Sequence, residues 1–366
     1  MFRGGAPSRP SLLGRRAGRG NGLTEVTSLY HQSVPAGRLL PRLFYGLVDL
    51  FPEPSLRVQR IIAAAVILTQ GGIAVTGAIV RVTASGLGCP TWPQCFPGSF
   101  TPVPVAEVQL IHQAVEFGNR LLTFLVVLTA AAMVIAVTRA RRRREVLIYA
   151  WLMPASTVAQ AVMGGITVLT GLLWWTVAIH LLASMTMVWV AVLLYAKVGE
   201  PDGNDGAVVV IPRVPKPLRQ LTFLSALALS AVLVTGTLVT AAGPHAGDKG
   251  VEEPVPRLQV EITSLVHMHS SLLVAYLSLL VGLGFALLAV RAPRVMLTRL
   301  GAVVALVAAQ GGLGTIQFFT GVPAALVVVH VAGAAACTAA TAALWASMRE
   351  RGASMRERAE PELVQR

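Results

Sequence analysis

Long apolar runs separated by short polar breaks dominate the chain. Eight of them, at about 59–81, 110–138, 145–169, 174–197, 218–241, 261–290, 296–319 and 324–347, are long enough to cross a hydrocarbon core as helices. Several of them are too long and too uninterrupted for a buried soluble core. The polar breaks differ in charge. "TRARRRRE" at 138–145, the stretch 197–219, "RAPRVMLTR" at 291–299 and the segment after 347 are basic, whereas 82–109, 170–174, 242–260 and 320–323 carry far fewer basic residues. Basic loops stay on the cytoplasmic side, so both termini are expected inside and the cysteine-bearing loop outside.

This pattern predicts an all-α polytopic membrane protein with eight transmembrane helices. The expected organisation is a basic disordered tail over 1–57, a first four-helix bundle over 58–197 and a cytoplasmic linker over 198–217. A second bundle over 218–347 and a charged tail over 348–366 follow. Within the first tail, "LLPRLFYGLVDLF" suits a segment lying along the membrane surface. The Arg-rich, acid-poor start is compatible with a mitochondrial transit peptide, an alternative to a plain solvated tail that holds His31.

Composition agrees with the pattern. Hydrophobic residues make up 54% and charged residues 13%, with a mean hydropathy of +0.67. A soluble domain usually carries about a quarter charged residues. The net charge of +13 is explained by the loops and ends, so no nucleic-acid partner is expected.

The chain also repeats itself. "AQAVMGGITVLTG" (159–171) is echoed by "AQGGLGTIQFFTG" (309–321). Ala159, Gln160, Gly164, Thr170, Gly171 and His180 recur 150 positions later as Ala309, Gln310, Gly314, Thr320, Gly321 and His330. "VTGAIV" (75–80) is echoed by "VTGTLV" (234–239). The two bundles are therefore expected to be pseudo-symmetric copies in parallel orientation, because four spans separate matching helices.

His112, His180, His269 and His330 each fall near the start of a helix running from outside to inside, and so at similar depth. One membrane histidine is commonly a hydrogen-bonded structural residue; four at matching depth point to a metal cofactor held between helices. Haem iron accepts an axial imidazole from each side. Zinc wants four nitrogen, sulfur or carboxylate ligands, and no compact set offers them; copper lacks a His-x-His or Met-rich loop outside the helices. In "HMH" (267–269) the two rings point about 200° apart on a helix, so one of them faces the core. The 150-residue offset pairs His330 with His180 and His269 with Asn119, giving the second half a full axial pair and the first half only one member of it.

On these residues the chain resembles the heme A synthase family of cytochrome oxidase assembly proteins. The resemblance rests on "TGAIVRVTASGLGCPTWPQC" (76–95), "EFGNRLL" (116–122), "GGITVLTGL" with His180 after it, "HMHSSLL", and "GGLGTIQFFTG" with His330 after it, and it spans roughly 60–345. It implies a pair of four-helix bundles that oxidises a methyl group of heme O to the formyl group of heme A. It implies that His269 and His330 ligate heme b and that the first half takes heme O. Implied partners are heme O, a heme O synthase that delivers it, a membrane electron acceptor and the lipid bilayer, with a homo-oligomer left open. The implied location is the bacterial plasma membrane, or the mitochondrial inner membrane if the start is a transit peptide.

The chain departs from the family in two places. The usual motif on the second helix is Glu-x-x-His-Arg, and here Glu116 and Arg120 flank Asn119. His112 is a candidate substitute that would sit about 10 Å higher along the helix; otherwise His180 alone holds the substrate iron. The family's frequent second cysteine pair is also missing from the later outer loop, "GPHAGDKG", where His245 and Asp248 are expected to be solvated.

His112, Glu116, Asn119 and Arg120 share an arc of roughly 100°, so one polar face is expected to look into the first bundle. Glu116 is expected to handle protons during methyl oxidation. Arg120, at the favourable i, i+4 spacing, is expected either to steady Glu116 or to reach a heme propionate. Cys89 and Cys95 lie in the outer loop, where a disulfide is allowed, as a staple or for redox work and heme handover. Cys337 reads as buried packing. The competing function is a diheme b-type electron-transfer protein linked to quinol; unequal halves argue against it. A repeat-built transporter lacks broken helices here, and a thiol oxidase lacks a close Cys-x-x-Cys pair.

Overall fold

A computed structural model describes residues 39–106, 108–202, 208–245, 247–248 and 255–353. The basic start with His31, the transit-peptide alternative and the end of the charged tail lie outside the described residues. The chain divides into two units, Met1–Leu50 and Phe51–Arg366. In the first, helix α1 spans Leu39–Asp49, which corrects the expectation of disorder through residue 57. Leu39, Leu40, Leu43, Phe44 and Leu47 recur at helical spacing, and that period supports a helix too short to span a membrane.

Among its described residues the second unit holds eight helices long and apolar enough to cross a membrane: α2 (Leu56–Val82), α3 (Leu110–Arg139), α4 (Arg144–Leu169), α5 (Trp174–Val198), α6 (Lys216–Ala242), α7 (Ile262–Ala289), α8 (Arg294–Phe319) and α9 (Ala324–Ser347). The protein is an all-α multi-pass membrane protein. Large side chains such as Leu68, Phe124, Val158 and Phe285 are among the most exposed, an arrangement that water would penalise and lipid tails accept. α2–α5 form one closed ring of neighbours and α6–α9 another, and the rings meet through α2, α5, α6 and α9.

The 150-residue repeat is visible in the backbone. The α3–α4 turn places Arg141 at φ 48° and the α7–α8 turn places Arg291 at 52°. The α4–α5 turn has Gly171 and Leu172 at 63° and 60°, and the α8–α9 turn has Gly321 and Val322 at 78° and 58°. Left-handed backbone is costly for a β-branched residue such as Val322, so these turns are held by their helices. Matching bonds close them: Leu172 N to Thr167 O, and Val322 N to Gln317 O.

On the basic side, Arg142 donates to Gln59 Oε1 at 2.8 Å and to the Val198 and Glu200 carbonyls at 2.9 Å, and Lys197 pairs with Glu145. These bonds lock the α3–α4 turn onto the end of α5. Two short strands, β1 (Val208–Pro212) and β2 (Arg349–Ala353), pair antiparallel. Part of the linker and the start of the final tail therefore form one ribbon. "VVVIP", a β-branched run bounded by proline, carried the signal.

Candidate functional site

A cavity of about 680 Å³ opens inside the first ring, a size that suits a cofactor or large ligand. Its wall is mostly apolar, built from α2 to α5 and closed at one side by Thr237 and Thr240 of α6 and Val327 and Val331 of α9. The charged and amide groups in it are Gln70, Arg81, Glu116, Asn119, Arg120 and Gln160, beside the imidazole of His180. The polar face expected of α3 does look inward at Glu116, Asn119 and Arg120.

Glu116 is buried and is the one carboxylate among the cavity's lining residues. Its Oε1 accepts from Arg120 Nε at 3.0 Å. Arg120 Nη1 donates to the Gln94 carbonyl at 3.2 Å, and Nη2 to those of Cys89 and Thr91 at 2.9 and 3.1 Å. Of the two expected roles the geometry favours the first: the guanidinium steadies Glu116 and anchors the outer loop, with its fork turned to backbone oxygens rather than to a propionate.

That loop covers the cavity. Cys89 and Cys95 are joined by a disulfide and packed against Phe96, Val103, Val105 and Phe117. Gly88 presses on the carbonyl of His112, leaving no room for a Cβ, and the Trp92 ring lies against Gly165, where a Cβ would stand 2.5 Å from Cδ2. Trp92, Pro93, Phe100 and Thr101 contribute to the cavity wall. Replacing Arg120 with methionine is expected to free the loop and strand Glu116, at a cost of about 3 kcal/mol or more. Faster proteolytic cutting within 90–101 and a lower thermal midpoint would be the readouts; unchanged cutting would contradict the anchoring role.

The histidines separate. His180 lines the cavity over Gly164, its Nδ1 buried without a partner and its carbonyl held by Gln160 Nε2 at 3.2 Å. His112 is not among the lining residues; its Nδ1 shares a 2.9 Å hydrogen bond with Ser85 Oγ. The geometry does not bring it to His180's side. His245, expected to be solvated, bonds through Nε2 to the Val322 carbonyl at 2.9 Å, and Asp248 bridges Ser85. Both tie the later outer loop to the rest of the unit.

In the second ring His269 and His330 face each other, ring centres 6.3 Å apart and planes inclined at 60°. Two metal–nitrogen bonds of about 2 Å on one axis put imidazole centres roughly 6–6.5 Å apart, so the pair fits an axial iron clamp. His269 Nδ1 lies 3.0 Å from the Val232 carbonyl and 3.2 Å from Thr235 Oγ1. Donation from Nδ1 to Val232 leaves the Nε2 lone pair for a metal. His330 Nδ1 is buried without a partner, and its carbonyl is held by Gln310 Nε2 at 2.8 Å, as Gln160 holds His180. Gly236 and Gly314 lie against the two rings, where a Cβ would meet Cε1 at 3.1 and 3.4 Å. His267 is exposed, which makes His269 the core-facing member of "HMH". Among the described residues no group of three or more His, Cys, Asp and Glu could hold a metal, so no zinc-type cluster competes.

The halves correspond residue by residue around these points. Asn119 Oδ1 accepts from Thr76 Oγ1 at 2.8 Å, where His269 meets Thr235. Thr76 and Thr235 lie at the same place in the "VTG" echo. Asn119 thus occupies the His269 position, and the first half presents an amide where the second presents a ligand. Sequence reasoning noticed the echo but missed Thr76, Thr235, Gln70 and Arg81 as site residues.

The model of the family described as cytochrome oxidase assembly protein (COX15-CtaA) matches residues 60–342. Among curated relatives, a heme A synthase of Geobacillus kaustophilus (strain HTA426) is 37% identical over 98 residues, 26% of this chain and 29% of the relative. One of Geobacillus thermodenitrificans is 30% identical over 144 residues, 38% and 44% of the two chains. One of Lysinibacillus sphaericus (strain C3-41) is 30% identical over 104 residues, 28% and 33%. The chain thus spans less than half the length of each of these relatives.

Proposed function

The chain belongs to the cytochrome oxidase assembly protein family, and from that premise we propose that it oxidises a methyl group of heme O to the formyl group of heme A. The observation that carries this reading is the inequality of the two halves. One has a roomy apolar cavity with a single imidazole and a carboxylate; the other has an imidazole pair at iron-clamping distance. A pure electron wire would need two equal clamps.

In this reading 58–197 is the substrate half and 218–347 the cofactor half. His269 and His330 would hold heme b, with Val232 and Thr235 orienting His269. A bound heme b supplies one-electron redox capacity between the cavity and an acceptor in the bilayer. His180 holds the substrate iron from one side, and the Thr76–Asn119 pair presents hydrogen-bonding groups on the other. Glu116 takes protons released as the methyl group is oxidised, and Arg120 keeps its carboxylate in place. Trp92 and the disulfide loop shield the reacting edge from water.

Heme O, a heme O synthase upstream and a membrane electron acceptor are the partners this chemistry requires. Both termini are proposed to be cytoplasmic, a reading that the basic loops support, and the bacterial plasma membrane is the proposed location. Expression in a host that makes heme O but not heme A, followed by chromatography of extracted heme, tests the reading. A heme A peak is expected; heme O alone, with the protein folded in the membrane, would refute it.

A further inference from the structure

One face of α2 forms a wall of the cavity, and its residues follow a pattern. Gln70, Ala74, Gly77 and Arg81 recur at i, i+4, i+7 and i+11, and all of them line the space. The middle is small and the two ends are polar. Gly77 is the counterpart of Gly236, which lies against the His269 ring, so the small stretch stands at the level where a ligand iron would sit. Arg81 follows one turn later, about 6 Å nearer the outer face.

Arg81 is under-used by its own protein. Its Nη2 donates to the Thr240 carbonyl at 3.0 Å, while its Nε is buried and bonds to nothing. No carboxylate pairs with it among the described residues. The nearby charge is of the same sign: Arg257 is close enough to repel it, and Arg257 spends its own donors on the Gly243 and Pro244 carbonyls. A buried guanidinium with one carbonyl partner and a like charge beside it lacks compensation. A brace between α2 and α6 would not need the charge. An anion in the cavity would supply what is missing, and a carboxylate matches the guanidinium fork.

We propose that Arg81 is the carboxylate anchor of the cavity, taking a propionate of the porphyrin substrate and turning that edge of the macrocycle toward the outer face. This rests on the proposed heme O reading and adds the orientation of the substrate. Once the acidic edge is held at Arg81, the macrocycle cannot rotate freely in its own plane. A fixed ring edge then faces Glu116, and the isoprenoid tail is directed away from the polar mouth. Arg81 thereby helps choose which methyl group is oxidised.

The test compares heme O with its dimethyl ester, which keeps the ring, iron and tail but removes both carboxylates. Binding to the detergent-purified holoprotein is measured without reductant, with partition into empty micelles subtracted. The intact protein is expected to bind the free acid at least about tenfold tighter than the ester. Arg81→Gln should lose that preference by weakening the acid alone, and Arg81→Lys should keep part of it. Equal weakening of acid and ester by Arg81→Gln, or an intact protein indifferent to esterification, would overturn the proposal. The second comparison needs no variant and stands even if Arg81→Gln does not fold. Failure of the intact protein to bind either form would instead refute the heme O reading itself.

Discussion

Alanine at both His269 and His330 is expected to abolish stoichiometric heme in the purified protein, seen as loss of the Soret band. The two rings stand 6.3 Å apart, the spacing of an axial pair, and each has a glycine beside it that leaves room for the ring. Removing both would take away the two imidazoles proposed to hold the iron in that half. Single substitutions should leave one ligand, with weaker retention and a spectrum of five-coordinate iron. His267→Ala is the control: its exposed side chain predicts unchanged heme content. Full heme content in the double variant, or loss in the His267 variant, would remove this pair as the clamp. His180→Ala separates the halves further, since it should spare the resident heme and weaken binding of added heme O.

The second large effect is expected at Glu116. Exchange for glutamine should lower heme A formation by about 10²–10⁴-fold, the usual worth of a positioned general base, while heme O binding persists. Glutamine keeps the shape and an oxygen for Arg120 Nε, so the loop held by Arg120 should remain in place. That separates this variant from Arg120→Met, which is expected to disturb the loop itself. Turnover close to that of the unsubstituted protein would take Glu116 out of the mechanism. Aspartate should restore part of the rate, because it retains the proton acceptor at a shorter reach.

Much of this was legible without coordinates. The spans inferred from hydropathy differ from the observed helices by three residues at most, because in lipid an apolar run has no alternative to satisfying its own backbone. The repeat offset foretold the equivalence of Asn119 and His269, and the Thr76 and Thr235 contacts bear out that register. Other features were out of reach. His112 sits on the same helix face as Glu116 and looked like a substitute ligand, yet Ser85 of the outer loop holds its ring. Helical spacing left Arg120 two roles, steadying Glu116 or meeting a propionate, and gave no sign of the carbonyls 26 to 31 residues earlier in the chain that it also binds. Helical periodicity gives the direction of a side chain but not what an irregular loop will bring to meet it.

The sequence alone determined the class of the protein, the number and limits of its spans, its duplication and the pairing of His269 with His330. Each follows from local composition or from a fixed offset along the chain. Only the tertiary structure decided that the first half encloses a cavity, that the disulfide loop roofs it, and that Arg81 stands in its wall with an unmet donor. Those depend on how far apart helices are held and on which long-range carbonyls use up a donor. Such balances arise between segments distant in sequence, where no local pattern records them.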